Sequence, residues 1–295
     1  MKNILITGIT GMLGKAVLNY FSQFNEYKIF GISRQVGFEI PNVTMFYGDL
    51  SSQEFVSNID LKSYYAIIHC SAEVNVNLCE IDKEGAYNSN VQATKNLVSC
   101  LKAEKYIYIS TDSVFDGQTG NYSEDSLVNP LNYSEETKLQ GEKIVEETVT
   151  NFYILRTNIY GFNKTFKNSL FEWGYTQLSS GNTINGFDNM YFNPMYIGQL
   201  AKFIEVLINS TTPFGTYNIG TNEIISKYEF LMKIVSGFNF SDDLVNKIYF
   251  NQEEFVAMRS LNTTLNTSKI NRIIEDFDFS IDTGFSMLKN DFINL

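Results

Sequence analysis

The feature that most constrains this fold lies at the start of the chain. An apolar run over residues 3–7 leads into Thr7-Gly8-Ile9-Thr10-Gly11-Met12-Leu13-Gly14 and then into an amphipathic stretch over residues 12–24. A strand that turns through glycines into a helix is the opening of a β-α-β unit. Glycine lets the backbone turn tightly and approach a pyrophosphate, and the unpaired N–H groups at the positive end of the following helix attract the anion. Gly8, Thr10, Gly11, Met12, Leu13 and Gly14 are therefore candidate dinucleotide contacts. Glycines that serve only close packing are the bland alternative, and the position between a first strand and a first helix favours the cradle.

The same alternation continues along the chain. Residues 3–7, 27–32, 44–47, 65–69, 105–110 and 152–155 read as strands, and residues 12–24, 83–103 and 134–149 as helices. Right-handed crossovers stack such units into a Rossmann-type α/β fold, a doubly wound parallel sheet. After about Tyr160 the regularity loosens, and turns such as Ser179-Ser180-Gly181-Asn182 separate shorter elements. The expected organisation is a dinucleotide-binding domain over residues 1–160 and a smaller, partly interleaved substrate lobe over residues 161–295, with returns of the chain to the first domain. Without repeats, low-complexity tracts or a flexible linker, the two parts should pack together.

Composition narrows the function. The 295 residues carry 22 Lys plus Arg against 33 Asp plus Glu, a net charge of -11, so the overall field repels nucleic acids and acidic membranes. Any nucleotide must be held by a local site. Cys70, Cys79 and Cys100 show neither a disulfide framework nor metal-ligand spacing, which points to a reducing, cytoplasmic setting without a metal. The apolar start at residues 1–6 is interrupted too early for a signal peptide, and no run approaches the roughly 20 apolar residues of a membrane span. One histidine, His69, cannot build a multi-histidine metal site; it ends an apolar strand and reads as a buried structural imidazole, with Cys70 beside it as a small core residue. The aromatic group Phe162, Phe166, Phe171, Trp173 and Tyr175 reads mainly as core, with one ring available to stack on a base.

Cofactor choice is usually decided after the second strand, where an acid would bind the ribose 2'-hydroxyl of NAD. Here the sequence runs Gly31-Ile32-Ser33-Arg34-Gln35. Ser33 and Arg34 suit a 2'-phosphate, so NADP, and NADPH over NADH, is expected; a solvated loop arginine is the alternative. Asp49 and Leu50 follow the third strand and are positioned to edge an adenine, unless Asp49 is only a solvated turn residue.

From the fifth strand onward further motifs accumulate. They are Ser110-Thr111-Asp112-Ser113-Val114-Phe115-Asp116-Gly117, Gly120-Asn121-Tyr122-Ser123-Glu124-Asp125, Asn129-Pro130-Leu131-Asn132, Lys138-Leu139-Gln140-Gly141-Glu142 and Leu155-Arg156-Thr157. With the glycine loop, His69-Cys70-Ser71-Ala72, Cys79-Glu80 and Asn90, the chain resembles the extended short-chain dehydrogenase/reductase superfamily, in particular its dTDP-4-dehydrorhamnose reductase-like branch. The resemblance continues through residues 194–201, 215–220 and 259–265. It implies reduction of a 4-keto group on a nucleotide-linked deoxysugar, supplying an activated sugar for a surface polysaccharide. It also implies cofactor contacts from Ser71, Ala72, Asn90 and Lys138, and substrate contacts from Ser113, Val114 and Asn158. Arg156 and Arg259 are the nominated arginines near the sugar nucleotide, because an acidic protein needs fork-shaped donors to hold one; a surface ion pair is the alternative for Arg259.

The resemblance further implies a hydroxyl, a tyrosine and a lysine around the nicotinamide. Hydride delivery to a carbonyl builds negative charge on oxygen, which needs a proton donor and a nearby cation. Thr111 and Lys138 stand at the hydroxyl and lysine positions. Four residues before Lys138, where two side chains share a helical face, stands Ser134; Tyr133 lies five back, turned roughly 140° away on a regular helix. Three outcomes stay open: a distorted helix start that brings Tyr133 in, a different donor such as Ser134 through a water, or a catalytically silent nucleotide-binding or regulatory subunit. An epimerase or dehydratase of the same superfamily is a further alternative. A nucleotide-sugar ligand is the expected partner, with a homodimer allowed and neither nucleic acid nor membrane expected.

Overall fold

The computed structural model describes residues 1–37, 39–163, 169–254 and 258–293. Its centre is a seven-stranded sheet of β1 (Lys2–Thr7), β2 (Tyr27–Ser33), β3 (Val43–Tyr47), β4 (Ser63–His69), β5 (Lys102–Thr111), β6 (Phe152–Thr157) and β11 (Gly215–Ile219). The spatial order is β11-β6-β5-β4-β1-β2-β3, and every neighbouring pair is parallel. This is the expected doubly wound α/β sheet. The chain runs outward one way from β1 through β2 to β3, and the other way from β4 through β5 to β6. At such a reversal the loops beyond the strand ends part, leaving a crevice outside their carboxyl ends.

Strand alternation divides the core into two layers. Ile4 and Ile6 face α1 (Met12–Phe21) and α8 (Ile197–Asn209), where Val17, Phe21, Leu200, Phe203 and Ile204 are fully buried. Leu5 and Ile67 face the other way and pack with Leu97 of α5 (Ala93–Cys100) and Val145 of α6 (Tyr133–Thr148). The shorter helices α2 (Gln53–Ser57), α3 (Val76–Ile81) and α4 (Lys83–Tyr87) join these layers.

Beyond β6 the chain forms α7 (Leu170–Ser179), α9 (Lys227–Phe238), α10 (Ser268–Asn271), α11 (Ile281–Ile293) and three two-stranded pairs. The pairs are β7 (Ile159–Tyr160) with β10 (Met195–Tyr196), β9 (Tyr191–Phe192) with β12 (Ile225–Ser226), and β8 (Ile184–Phe187) with β13 (Val245–Ile248). Aromatic packing dominates here: Phe171, Tyr175, Phe238 and Phe292 meet with ring centroids 4.6–5.9 Å apart. Of the aromatic group singled out in the sequence, Phe162 and Phe171 pack there, Trp173 is substantially exposed, and Phe166 lies outside the described residues. No helix among the described residues is long and apolar enough to cross a membrane.

Two local expectations are corrected. The helix expected over residues 83–103 is interrupted by a π-turn at Asn88–Gln92 and ends at Cys100, because β5 already begins at Lys102. Such turns bend a helix by inserting a residue, and here the insertion brings Asn90 inward. The seventh sheet strand, β11, lies outside the strands that periodicity predicts; it carries the fully buried Asn218, whose amide donates to the Tyr122 carbonyl.

Candidate active site

The crevice at the sheet reversal is a cavity of about 1020 Å³. Its floor is the glycine loop. Gly8 is left-handed at φ +62°, and a Cβ on Gly14 would lie 2.2 Å from the Gly8 carbonyl oxygen, so α1 sits against the loop with room for glycine alone. Gly11 precedes α1 without a side-chain cap, and the first turn holds no acid. A helix start of this kind presents N–H groups and a positive dipole end to an anion, so the loop fits a pyrophosphate. Gly8, Thr10, Gly11, Met12 and Leu13 line the cavity, whereas Gly14 acts behind them as the packing residue.

At and just beyond the ends of β2 and β3 the cavity is lined by Ser33, Arg34, Asp49 and Leu50. Ser33 is buried and its Oγ accepts the Gln35 N–H at 3.0 Å, while Arg34 is exposed. Asp49 accepts the Ser51 N–H at 2.8 Å, which fixes the turn after β3. Beyond β4, Ser71 and Ala72 line the cavity, and the Ser71 N–H donates to Thr7 Oγ1 at 3.2 Å. Asn90 lies just behind this wall: its Oδ1 accepts the Glu73 N–H at 2.7 Å, and its amide donates to the Glu73 carbonyl and to Thr137 of α6. It braces the cavity from outside.

The opposite wall comes from β5 and α6. Thr111, Ser113, Ser134, Lys138 and Asn158 all face the cavity. Thr111 Oγ1 accepts the Ser113 N–H at 3.1 Å, and Asn158 donates to Asp112 Oδ2 at 2.9 Å. Lys138 is buried, its Nζ 2.6 Å from the Ile109 carbonyl and 4.3 Å from the centroid of Tyr108. Burial lowers its pKa to about 8, with Glu142 and Cys70 pulling in the opposite direction. Below that value the lysine is a cation aimed into a largely dry wall.

Helix α6 is regular from its first residue. Asn132 caps it by accepting the Glu135 N–H at 3.2 Å, and the Tyr133 N–H donates to Glu80 Oε1 at 2.7 Å. Tyr133 therefore turns away from Lys138; its ring lies 5.0 Å from Lys83 Nζ and lines a separate pocket of about 230 Å³ with Glu80 and Pro130. No distortion brings the phenol into the main cavity.

Three nominated substrate contacts stand elsewhere. Arg156 is buried and forms a fork on Glu142, with Nη2 2.8 Å from Oε2 and Nε 3.1 Å from Oε1, and its Nη1 donates to the Glu124 carbonyl. The fork-shaped donor is spent on joining β6 to α6. Val114 is fully buried in a small core with Phe115, Tyr122, Leu139 and Leu265. Arg259 lies outside the cavity, its N–H donating to Gln252. His69 is buried, 2.7 Å from Thr7 Oγ1 and 3.1 Å from Thr94 Oγ1, and burial with the Lys138 charge lowers it to about 3, so it is neutral. Burial raises the Cys70 thiol to about 12, which makes it a poor nucleophile.

The RmlD substrate binding domain family matches residues 1–281. The chain belongs to that family. Among its curated relatives is methionine adenosyltransferase 2 subunit beta of Rattus norvegicus, 29% identical over 277 residues, covering 91% of this chain and 81% of the relative. A second is dTDP-4-dehydrorhamnose reductase of Aggregatibacter actinomycetemcomitans, 25% identical over 284 residues and 92% of each chain. Among solved structures, dTDP-4-dehydrorhamnose reductase of Bacillus anthracis str. Ames in complex with NADP superposes with a TM-score of 0.83 at 26% identity, covering 100% of this chain and 99% of that one.

The structure also brings residues to the cavity that motif reading passed over, notably Asp112, Glu73 and Glu135. For Glu135 a signal existed: Asn132-Tyr133-Ser134-Glu135 has the spacing of a helix cap followed three residues later by an acid. That pattern announces where a helix starts, and says nothing of an acid facing a cavity.

Proposed function

We propose that the protein is an NADPH-dependent reductase of a keto group, at the sugar C4, on a nucleotide-linked deoxysugar destined for a surface polysaccharide. The observation that carries this reading is the shared cavity, in which the uncapped start of α1, the loop after β4, and Thr111, Ser134 and Lys138 line one space. Family membership and the reductase relatives support the substrate class.

The glycine loop would hold the pyrophosphate, with Ser33 and Arg34 at the adenosine 2'-phosphate and Asp49 and Leu50 beside the adenine. When bound, the nicotinamide supplies a hydride. Lys138 would hold positive charge near the nicotinamide ribose, while Thr111 would orient the carbonyl oxygen by a hydrogen bond that strengthens as charge grows there. Residues 161–295 would supply most of the nucleotide-sugar side of the site.

A second reading is a catalytically silent subunit that keeps the fold and the nucleotide loop. It is favoured by Ser134 at the expected tyrosine position and by relatives that are beta subunits of methionine adenosyltransferase 2. Mixing the protein with NADPH and a panel of dTDP-, UDP- and GDP-linked 4-keto sugars separates the two. The reductase reading expects one NADPH oxidised per sugar reduced for at least one member. NADPH binding without oxidation across the panel would favour the silent subunit.

A further inference from the structure

Resting on the reductase reading, we propose that Glu135 is the acid that gives the carbonyl oxygen its proton, in place of the phenol that Tyr133 carries to the other side of α6. Ser134, Glu135 and Lys138 line the cavity together, so the first turn of α6 brings a carboxyl as well as a hydroxyl to the wall that holds the lysine. An unassisted serine hydroxyl is a poor acid, whereas a carboxyl exchanges protons readily.

The carboxyl is held by neutral donors alone. Its Oε2 accepts the Leu131 N–H at 2.9 Å, Asn132 also donates to the group, and among the described residues no cation forms an ion pair with it. Glu135 is nevertheless buried. A carboxylate in that position has lost most of its water without gaining a counter-ion, which favours the protonated form.

The charged groups around it act in opposite directions. Asp112, on the turn after β5, is the facing anion and favours the protonated form, whereas Lys138 on the same cavity wall favours the carboxylate, and Lys227 on α9 acts on Asp112. Burial raises Glu135 to about 7; the bonds from Leu131 and Asn132 act against this and Asp112 adds to it. Near neutrality a substantial fraction of molecules thus holds a proton at the cavity wall.

As a hydride from the nicotinamide forms the new C–H bond, the carbonyl π pair moves onto oxygen. The Glu135 O–H bond breaks and its proton forms the O–H of the product alcohol. Glu135 is left as a carboxylate and recovers a proton from solvent.

The test uses the full chain in two assays. In substrate-free protein, infrared difference spectra across about pH 5 to pH 9 should show a carboxylic-acid C=O band lost with a midpoint near 7, and Glu135→Gln should remove it. In turnover, Glu135→Gln should lower kcat about a hundredfold or more while leaving NADPH affinity and melting temperature unchanged, because the amide oxygen still accepts the Leu131 N–H. Glu135→Asp should recover part of the loss. Wild-type kcat/KM should fall as pH rises through about 7, since the acid must be protonated, and this limb should vanish in Glu135→Gln. An active enzyme whose band, rate and pH profile ignore Glu135→Gln overturns the Glu135 assignment alone. An inert wild type overturns the reductase reading first, and the catalytic step with it.

Discussion

Helices α1 and α6 contribute their first turns to the same cavity, and the two ends are built in opposite ways. At α1 a glycine stands where a cap would be, no side chain makes the cap bond, and the first turn holds no acid. At α6 Asn132 caps the helix, Glu135 and Glu136 occupy the first turn, and Glu80 and Glu135 take up the N–H groups of Tyr133 and Leu131. The first end leaves its positive field for a ligand, whereas the second satisfies its own. An uncapped helix start can therefore bind an anion, and a capped one can fix side chains in place for chemistry.

Of the two helix starts, α1 should be the more sensitive to substitution. In Gly14→Ala the new methyl meets a backbone oxygen at 2.2 Å, so the loop itself must move. Overpacking of about 1–3 kcal/mol would offset the roughly 1 kcal/mol that alanine gains over glycine within a helix. We expect NADPH affinity to fall at least about tenfold, read by calorimetry. Unchanged binding would mean that the loop is not the cradle. At α6, Asn132→Ala should cost about 1 kcal/mol in chemical denaturation and leave NADPH affinity unaltered. A loss of affinity there as large as in Gly14→Ala would erase the contrast between the two ends.

The contrast also separates what can be read in a sequence from what cannot. The α1 end was legible because its chemistry is local: strand, glycines and helix follow one another in eight residues, and the structure keeps them in that order. The rotation of Tyr133 away from Lys138 was legible for the same reason, since it needs only a regular helix. Arg156 was misplaced because its partner, Glu142, lies 14 residues away on another element, and only the packing of β6 on α6 brings them together. Strand β11 was missed because Gly-Thr-Tyr-Asn-Ile carries little alternation, and its buried Asn218 is stabilised by Glu124 and Tyr122 from a distant loop. Glu135 is not legible as a site residue because an acid in a first helical turn is ordinarily a solvated cap, whereas here it is buried.

The most direct test of the claim that α1 is the open, ligand-binding end is a calorimetric titration of the wild type and Arg34→Ala with NADPH and NADH. Ser33 and the exposed Arg34 line the same cavity as the glycine loop, and no acid follows β2 there. A charge-assisted contact to the 2'-phosphate is worth about 1.5–3 kcal/mol, so the wild type should bind NADPH roughly ten- to a hundredfold more tightly than NADH. Arg34→Ala should lower NADPH affinity to the NADH level and leave NADH binding nearly unchanged. No binding of either dinucleotide would contradict the claim for α1, and equal affinities or tighter binding of NADH would contradict the role given to Ser33 and Arg34.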